Sequence, residues 1–290
     1  MEVLTVLSKV FTLMFVVASM LALGFSLTVG QIVGPLRDVR LVLRALVANF
    51  VLVPAAAYGI KMIIPIGDSY GTGLLILATA AGAAVLPKLV QLAKGDVAFG
   101  AGLMVLLTVV TVAYVPIVLP LLLSGVSVNP LDIAKSLIVL MLLPLGFGLC
   151  IKARYAEAAD WARPALAEIA NVGLMGLIAT MLLLNWRTLF ETIGTGALLA
   201  ALLFIVASFV FGYVAGTSAT TKPVLALGTA QRNVAAAMVV ATDSFAADPK
   251  VPVMVVVVSV LLMALLLPAA GELGKWRVAA PDGTVPVATN

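Results

Sequence analysis

The chain has 290 residues, 63% of them hydrophobic and 10% charged, with a mean hydropathy of +1.22. Soluble domains carry about 45–50% apolar and about 25% charged residues, so no water-soluble fold of this length hides so much apolar surface and lipid must be the solvent. The formal net charge of +4 lies on short loops and does not point to nucleic acid. One cysteine, Cys150, excludes an intrachain disulfide, and the lack of histidine removes the commonest metal ligand and neutral-pH proton relay.

In lipid every backbone polar group needs an internal partner, which leaves helices or a closed barrel. Barrel strands alternate polar and apolar over about ten residues. Here the apolar runs continue for about twenty residues, enough for a helix to cross the hydrocarbon. Nine spans are predicted, A to I: 5–29, 41–64, 72–94, 97–123, 131–151, 169–189, 194–216, 223–242 and 252–271. Within span A, Val10–Phe25 does not read as a signal peptide, because Glu2 and a single Lys9 precede it and no clear A-x-A site follows. The linkers are short and rich in turn residues, such as Gly34-Pro35, Asn129-Pro130 and Asp248-Pro249. The longest, 152–168, carries charges and Trp161 and is expected to lie as an amphipathic helix at the interface.

Loop cations set the expected orientation. Ten lie on one side: Arg37, Arg40, Arg44, Lys94, Lys152, Arg154, Arg163, Lys222, Lys275 and Arg277. Five lie on the other: Lys9, Lys61, Lys135, Arg187 and Lys250. The positive-inside rule then puts the A–B loop and the C-terminus in the cytoplasm and the N-terminus outside. The expected location is the cell membrane, as a multi-pass protein.

Spans C and H are the least regular. Span C contains TAAGAAVLPKL (79–89), with small residues and Pro87. Span H contains ALGTAQRNVAAAM (226–238), where Gly228, Thr229, Gln231, Arg232 and Asn233 interrupt an apolar helix. Both helices are expected to break, near 82–88 and 228–232, with the breaks close together. LATAAG (77–82) echoes LGTAQR (227–232), a faint internal repeat whose two units would run in opposite directions, a common transporter plan. Arg232 sits at a helix centre, where a charge costs about 2.5–3.5 kcal/mol and faces protein or a water-filled cavity. It either serves substrate or pairs with backbone carbonyls. Lys88 either snorkels to the interface or joins the site. Asn49, in span B, either hydrogen-bonds a neighbouring helix or lines the site. Thr79, Thr108, Thr111 and Thr229 suit packing as well as ligation. Broken helices expose N-terminal N–H groups with partial positive charge, and Arg232 adds a fork suited to carboxylate or phosphate. The pattern favours a small organic anion.

The residues also carry a resemblance. LALGFSL, PLRDVRLVLRALVANFVLVP (35–54), LVQLAKGDVAFG (89–100) and ALGTAQRNVAAAM, in this order, resemble the bile acid:sodium symporter family from about Ala22 to Leu267. The resemblance implies an all-α transporter of inverted repeats, with two broken helices crossing at mid-membrane. It implies a core of spans B, C, D, G, H and I (about 41–123 and 194–271) and a panel of A, E and F (about 5–29 and 131–189). The larger members' first helix has no counterpart here, which leaves nine spans. Sodium-coupled members bind sodium near the crossing. By alignment their Ser-Asn pair falls on Leu86-Pro87, their hydroxyl positions on Gly100 and Met104, and their acid on Leu227. Only Gln231 matches clearly, and Asn49 stands where a family glutamine would. The expected function is therefore alternating-access transport of an organic anion, with substrate at Gln231, Arg232, Asn233, Lys88, Asn49 and Thr229. Fixed cations would replace sodium, and no cofactor or metal is expected. The alternative is sodium coupling through a rebuilt site of Gln231, Asn49 and Thr79. A non-transporting sensor or a channel is the further rival. An intramembrane enzyme is excluded because no acid pair, nucleophile–base pair or metal cluster lies at membrane depth.

Overall fold

The computed structural model describes residues 2–28, 37–123, 129–184 and 194–279, with positions 30, 33, 186, 187 and 192. The Gly34-Pro35 turn and the end of span F lie outside the described residues. All regular structure among the described residues is helical. Eight helices there are long and apolar enough to cross a membrane: Leu4–Ser26, Val39–Ile63, Val97–Leu122, Pro130–Arg154, Ala156–Met181, Ala197–Ala215, Thr221–Ser244 and Lys250–Lys275. They correspond to spans A, B and D to I. Span C is absent from the eight because six non-helical residues, 80–85, divide it, whereas the break in span H is only three residues long.

The chain begins with α1 (Glu2–Ser26). Span B follows as α2 (Val39–Val47), a π-helical turn (Ala48–Leu52) and α3 (Val53–Ile63). Asp38 caps α2, its carboxylate accepting from the Leu41 N–H at 3.0 Å. The π-turn has a local cause. Pro54 lacks an N–H and its ring crowds the carbonyl four residues earlier, that of Phe50. The ladder slips by one residue, and the Tyr114 hydroxyl donates to the Phe50 carbonyl instead. The two rings stack tilted at 4.8 Å between centroids. Asn49 is thereby held in a buried irregular turn at mid-span. Span E repeats the device. Here α7 (Pro130–Leu137), a π-turn (Ile138–Leu142) and α8 (Leu143–Arg154) precede and include Pro144.

Span C is α4 (Asp68–Thr79) and α5 (Leu86–Leu92), joined by a non-helical stretch; span D is α6 (Val97–Leu122). Tyr155 separates α8 from α9 (Ala156–Leu184), which is one continuous helix. The separate interfacial helix expected over 152–168 is therefore corrected. Residues 156–168 are the first turns of the same helix as span F, with Pro164 inside it and Trp161 exposed. Proline bends a helix without obliging it to stop when its neighbours are good helix formers such as the alanines here. Last come α10 (Ala197–Ala215), α11 (Thr221–Ala230), α12 (Val234–Ser244) and α13 (Lys250–Ala279).

Packing places the broken helices centrally. Of the 18-residue window in Thr221–Ser244, 94% is buried, against 28–50% for the other seven. Residues 70–83 of span C are buried without exception. In contrast α1 packs chiefly on α8 and α9, with Gly173 close against the Phe15 backbone, and much of its other surface is exposed. A lipid-facing helix can leave apolar side chains such as Val6, Val10 and Leu13 uncovered.

Candidate functional site at the crossing of two broken helices

The first break spans residues 80–85. Its turning point is Gly82, at φ +86, in the left-handed region. A Cβ there would lie 2.4 Å from the Thr108 backbone nitrogen, so a side chain is excluded by contact as well as by conformation. Pro87 is not the cause of the break. It occupies the first turn of α5, where its missing N–H costs nothing. The second break spans residues 231–233, with Gln231 extended at φ −72, ψ 124. Gly228, expected to interrupt span H, lies inside α11. The breaks touch, the Asn233 N–H donating to the Ala80 carbonyl at 2.9 Å.

Several of the freed backbone groups have partners across the crossing. The Thr111 hydroxyl accepts from the Ala81 N–H at 2.9 Å and donates to the Ala81 carbonyl at 3.0 Å. The Gly82 carbonyl takes the Thr108 hydroxyl and the Asn233 Nδ2, each at 2.9 Å. Asn233 also caps α12, its Oδ1 accepting from the Ala236 N–H at 3.0 Å. Thr108 and Thr111 thus fasten the first break to α6, and Asn233 ties it to the second.

Arg232 is fully buried, at 0% exposure. Its Nε donates to the Leu77 carbonyl at 3.1 Å, and its Nη2 to the Ala78 carbonyl at 2.6 Å. Its Nη1 donates to the Thr229 carbonyl at 3.1 Å and to Asn49 Oδ1 at 3.0 Å. A guanidinium has five N–H groups, and these four bonds use all but one. Leu77 and Ala78 end α4, and Thr229 ends α11. The guanidinium therefore lies where two helix C-termini meet. Each terminus carries about half a negative charge, so together they roughly balance the single positive charge. This explains how a cation stays at membrane depth with no acid beside it.

The other expected site residues fall in four groups. Asn49 and Thr229 belong to the Arg232 network, Asn49 Nδ2 donating to Thr229 Oγ1 at 3.1 Å. Thr79 is buried but its hydroxyl turns back on its own helix, to the Leu75 and Ile76 carbonyls. Gln231 is 4% exposed, and its Oε1 is buried without a hydrogen-bond partner. A buried oxygen left so costs about 1–3 kcal/mol. Lys88 stands apart, exposed on α5. Sequence reading missed the fastening role of Thr108 and Thr111. Their spacing of three residues puts both hydroxyls on one face of α6, a signal that names a face without naming its neighbour.

Comparison with known proteins gives the chain its class. It matches the Sodium Bile acid symporter family over residues 11–192, well over half its length. The chain belongs to this family. The family is one of membrane transporters, not enzymes, so the protein is a multi-pass transporter of a small-molecule substrate. It is 23% identical over 275 residues to an Arabidopsis thaliana protein named "Probable sodium/metabolite cotransporter BASS1, chloroplastic". That alignment covers 93% of this chain and 67% of the relative. The second broken helix lies outside the stretch matched to the family.

The family name implies sodium, and the crossing can be tested for it. A hard cation needs a shell of several oxygens. Those of Leu77, Ala78, Thr229 and Asn49 are taken by the Arg232 guanidinium. Those of Ala80, Ala81 and Gly82 are taken by Asn233, Thr111 and Thr108. Gln231 Oε1 is the buried side-chain oxygen of the crossing without a partner among the described residues. Sodium would have to share the oxygens of Leu77, Ala78, Thr229 and Asn49 with the guanidinium, and two cations beside one another disfavour sodium at that position.

Proposed function

We propose that this family member is a secondary transporter of small organic anions that works by alternating access, without sodium coupling. The observation that carries the reading is the buried Arg232 guanidinium joining the C-termini of α4 and α11. In this reading Arg232 supplies permanently the positive charge that a bound cation would supply transiently. Its engaged N–H groups assign it to holding the crossing, together with Asn49 and Thr229. Substrate contact then passes to the opposite ends of the break, where α12 presents N-terminal N–H groups. Gln231, with its free Oε1, meets the substrate beside Asn233, and exposed Lys88 adds positive charge on the approach. The core of about 41–123 and 194–271 rocks against the panel of about 5–29 and 131–189. The two halves of the chain act as inverted repeats with nine spans in the cell membrane, the N-terminus outside and the C-terminus in the cytoplasm.

A second reading is sodium-coupled symport, favoured by the relative's name and by the free Gln231 Oε1. It requires Asn49 and Thr79 to turn towards Gln231. A thermal-shift screen of organic anions on purified protein, with sodium or choline as the only cation, separates the two. The expected result is stabilisation by one class of anion, equal in either cation. Stabilisation only in sodium would replace the first reading by the second. A channel would instead show a steady bilayer current without saturable counterflow.

A further inference from the structure

We propose that the outer face of α9 is a docking surface for a second copy of this chain, so that two transporters pair in the membrane, α9 parallel to α9, about Glu168.

The inference starts from an acid at an unexpected depth. The predicted span F, 169–189, leaves Glu168 outside the hydrocarbon. The continuous α9 instead puts it at the middle of the span Ala156–Met181. Packing gives a similar depth. Gly173 and Gly176 of α9 press on Phe15 and Phe11 of α1, and Phe15 is the midpoint of Leu4–Ser26. Glu168 is exposed, and so is Asn171 one turn further on. Two and a half turns separate Glu168 from Leu177, which is buried in the core. The two side chains therefore lie on opposite sides of α9, and Glu168 points out of the bundle. A groove of about 430 Å³ carries Glu168 and Asn171 in its walls, with Phe11 of α1 and Met175.

Hydrocarbon cannot satisfy this face. Lipid tails offer neither donor nor acceptor, and an ionisable residue at mid-membrane faces protein or a water-filled cavity. The outward face of α10 shows what lipid alone requires: Leu199, Leu203, Val206 and Val210 are exposed and all are apolar. Among the described residues the Glu168 carboxyl has no ion pair or hydrogen bond.

The spacing of the face names its partner. Trp161, Ala165, Glu168, Val172, Met175 and Ala179 are all exposed, four and three residues apart in alternation. That rhythm is the seam of two helices packed side by side at a shallow left-handed angle. Its exposure means that no described helix of this chain covers it. Copies of one chain enter the membrane in the same orientation. A two-fold axis along the membrane normal then lays this seam against itself, parallel and in register, and makes every contact twice. Ala165 and Ala179 let the backbones approach. Helix side chains lean towards the N-terminus, so Asn171 leans towards the layer of Glu168. There its amide N–H groups are donors for the carboxyls that lipid leaves bare. A polar residue at one seam position also fixes the register of the pair.

The test uses the full chain in liposomes. Cys150 is exposed and is the only cysteine, so wild type takes donor and acceptor dyes there, and energy transfer is followed as lipid dilutes the protein. Transfer should fall along a monomer–dimer curve. Replacing Glu168→Leu together with Asn171→Leu should shift that curve by about tenfold or more towards monomer. Glu168→Gln keeps the hydrogen bonding and should stay near wild type. In a Cys150→Ser background, Trp161→Cys and Met175→Cys should oxidise to covalent dimers, and Val206→Cys on α10 should not. Transfer no greater than chance encounter at every dilution would overturn the proposal and leave the face to lipid. So would a double variant that dimerises like wild type, or cross-linking at Val206 equal to that at Met175. The cross-linking leaves Glu168 and Asn171 in place, so it decides the matter even where the double variant fails to insert.

Discussion

Replacing Arg232 with methionine keeps most of the side-chain volume and removes every donor. Three acceptors lose their partner, the carbonyls of Ala78 and Thr229 and Asn49 Oδ1, and the Leu77 carbonyl keeps only the Ala80 N–H. Two helix C-termini, each carrying about half a negative charge, are left facing one another at a buried crossing. Breaking a buried charged network by removing one partner costs about 3–5 kcal/mol. In a protein of this size each kcal/mol moves the melting temperature by about 2–4 °C, so Arg232→Met should melt about 10 °C below wild type. Arg232→Lys should recover only part of this, because three donors on one nitrogen cannot reach both helix ends as the planar fork does. Arg232→Ala should leave a cage of four oxygens, and sodium should then restore stability as any ligand of the native state does, by about 1.4 kcal/mol at ten times its dissociation constant. The assay is intrinsic fluorescence melting in detergent, with sodium titrated against choline. The reasoning is refuted if Arg232→Met melts within a degree or two of wild type, or if sodium stabilises wild type and not Arg232→Ala.

Two further outcomes test the frame around the site. Gly82→Ala combines left-handed strain of about 1–2 kcal/mol with a Cβ 2.4 Å from the Thr108 nitrogen. Overpacking of that kind adds about 1–3 kcal/mol, and size-exclusion chromatography should show most of the protein lost to aggregation, whereas a wild-type profile would mean the crossing is looser than described. Reporter fusions should place the N-terminus outside and the C-terminus in the cytoplasm; both ends on one side would sink the nine-span topology.

The helices were the most legible feature of the chain. Unbroken apolar runs place the spans and most of their ends, because lipid forbids an unpaired backbone whatever the partner helices are, but the helix of span F starts at Ala156, well before the predicted 169. The two breaks were legible in position, and one of them for the wrong reason. Pro87 attracts attention as a helix breaker, yet Gly82 makes the turn and Pro87 only starts the next half-helix. The sequence around Gly82 is small and apolar, and nothing local says which glycine must adopt positive φ. That is decided by Thr108 on another helix, which approaches too closely for a Cβ.

Arg232 shows the same division more sharply. Its depth in span H says that the charge must be compensated, and the absence of any deep acid among the spans narrows the partners to backbone carbonyls or a ligand. What sequence reading cannot supply is the second helix. The carbonyls of Leu77 and Ala78 are 155 and 154 residues away along the chain, in the last turn of α4, where that of Leu77 also takes the Ala80 N–H. The break at residues 80–85 therefore does two things at once. It opens a polar crossing within the membrane, and it supplies two of the four acceptors that hold the Arg232 guanidinium. A residue's chemistry is thus set by where a neighbouring helix stops, a property of the packed bundle that no stretch of the chain encodes alone.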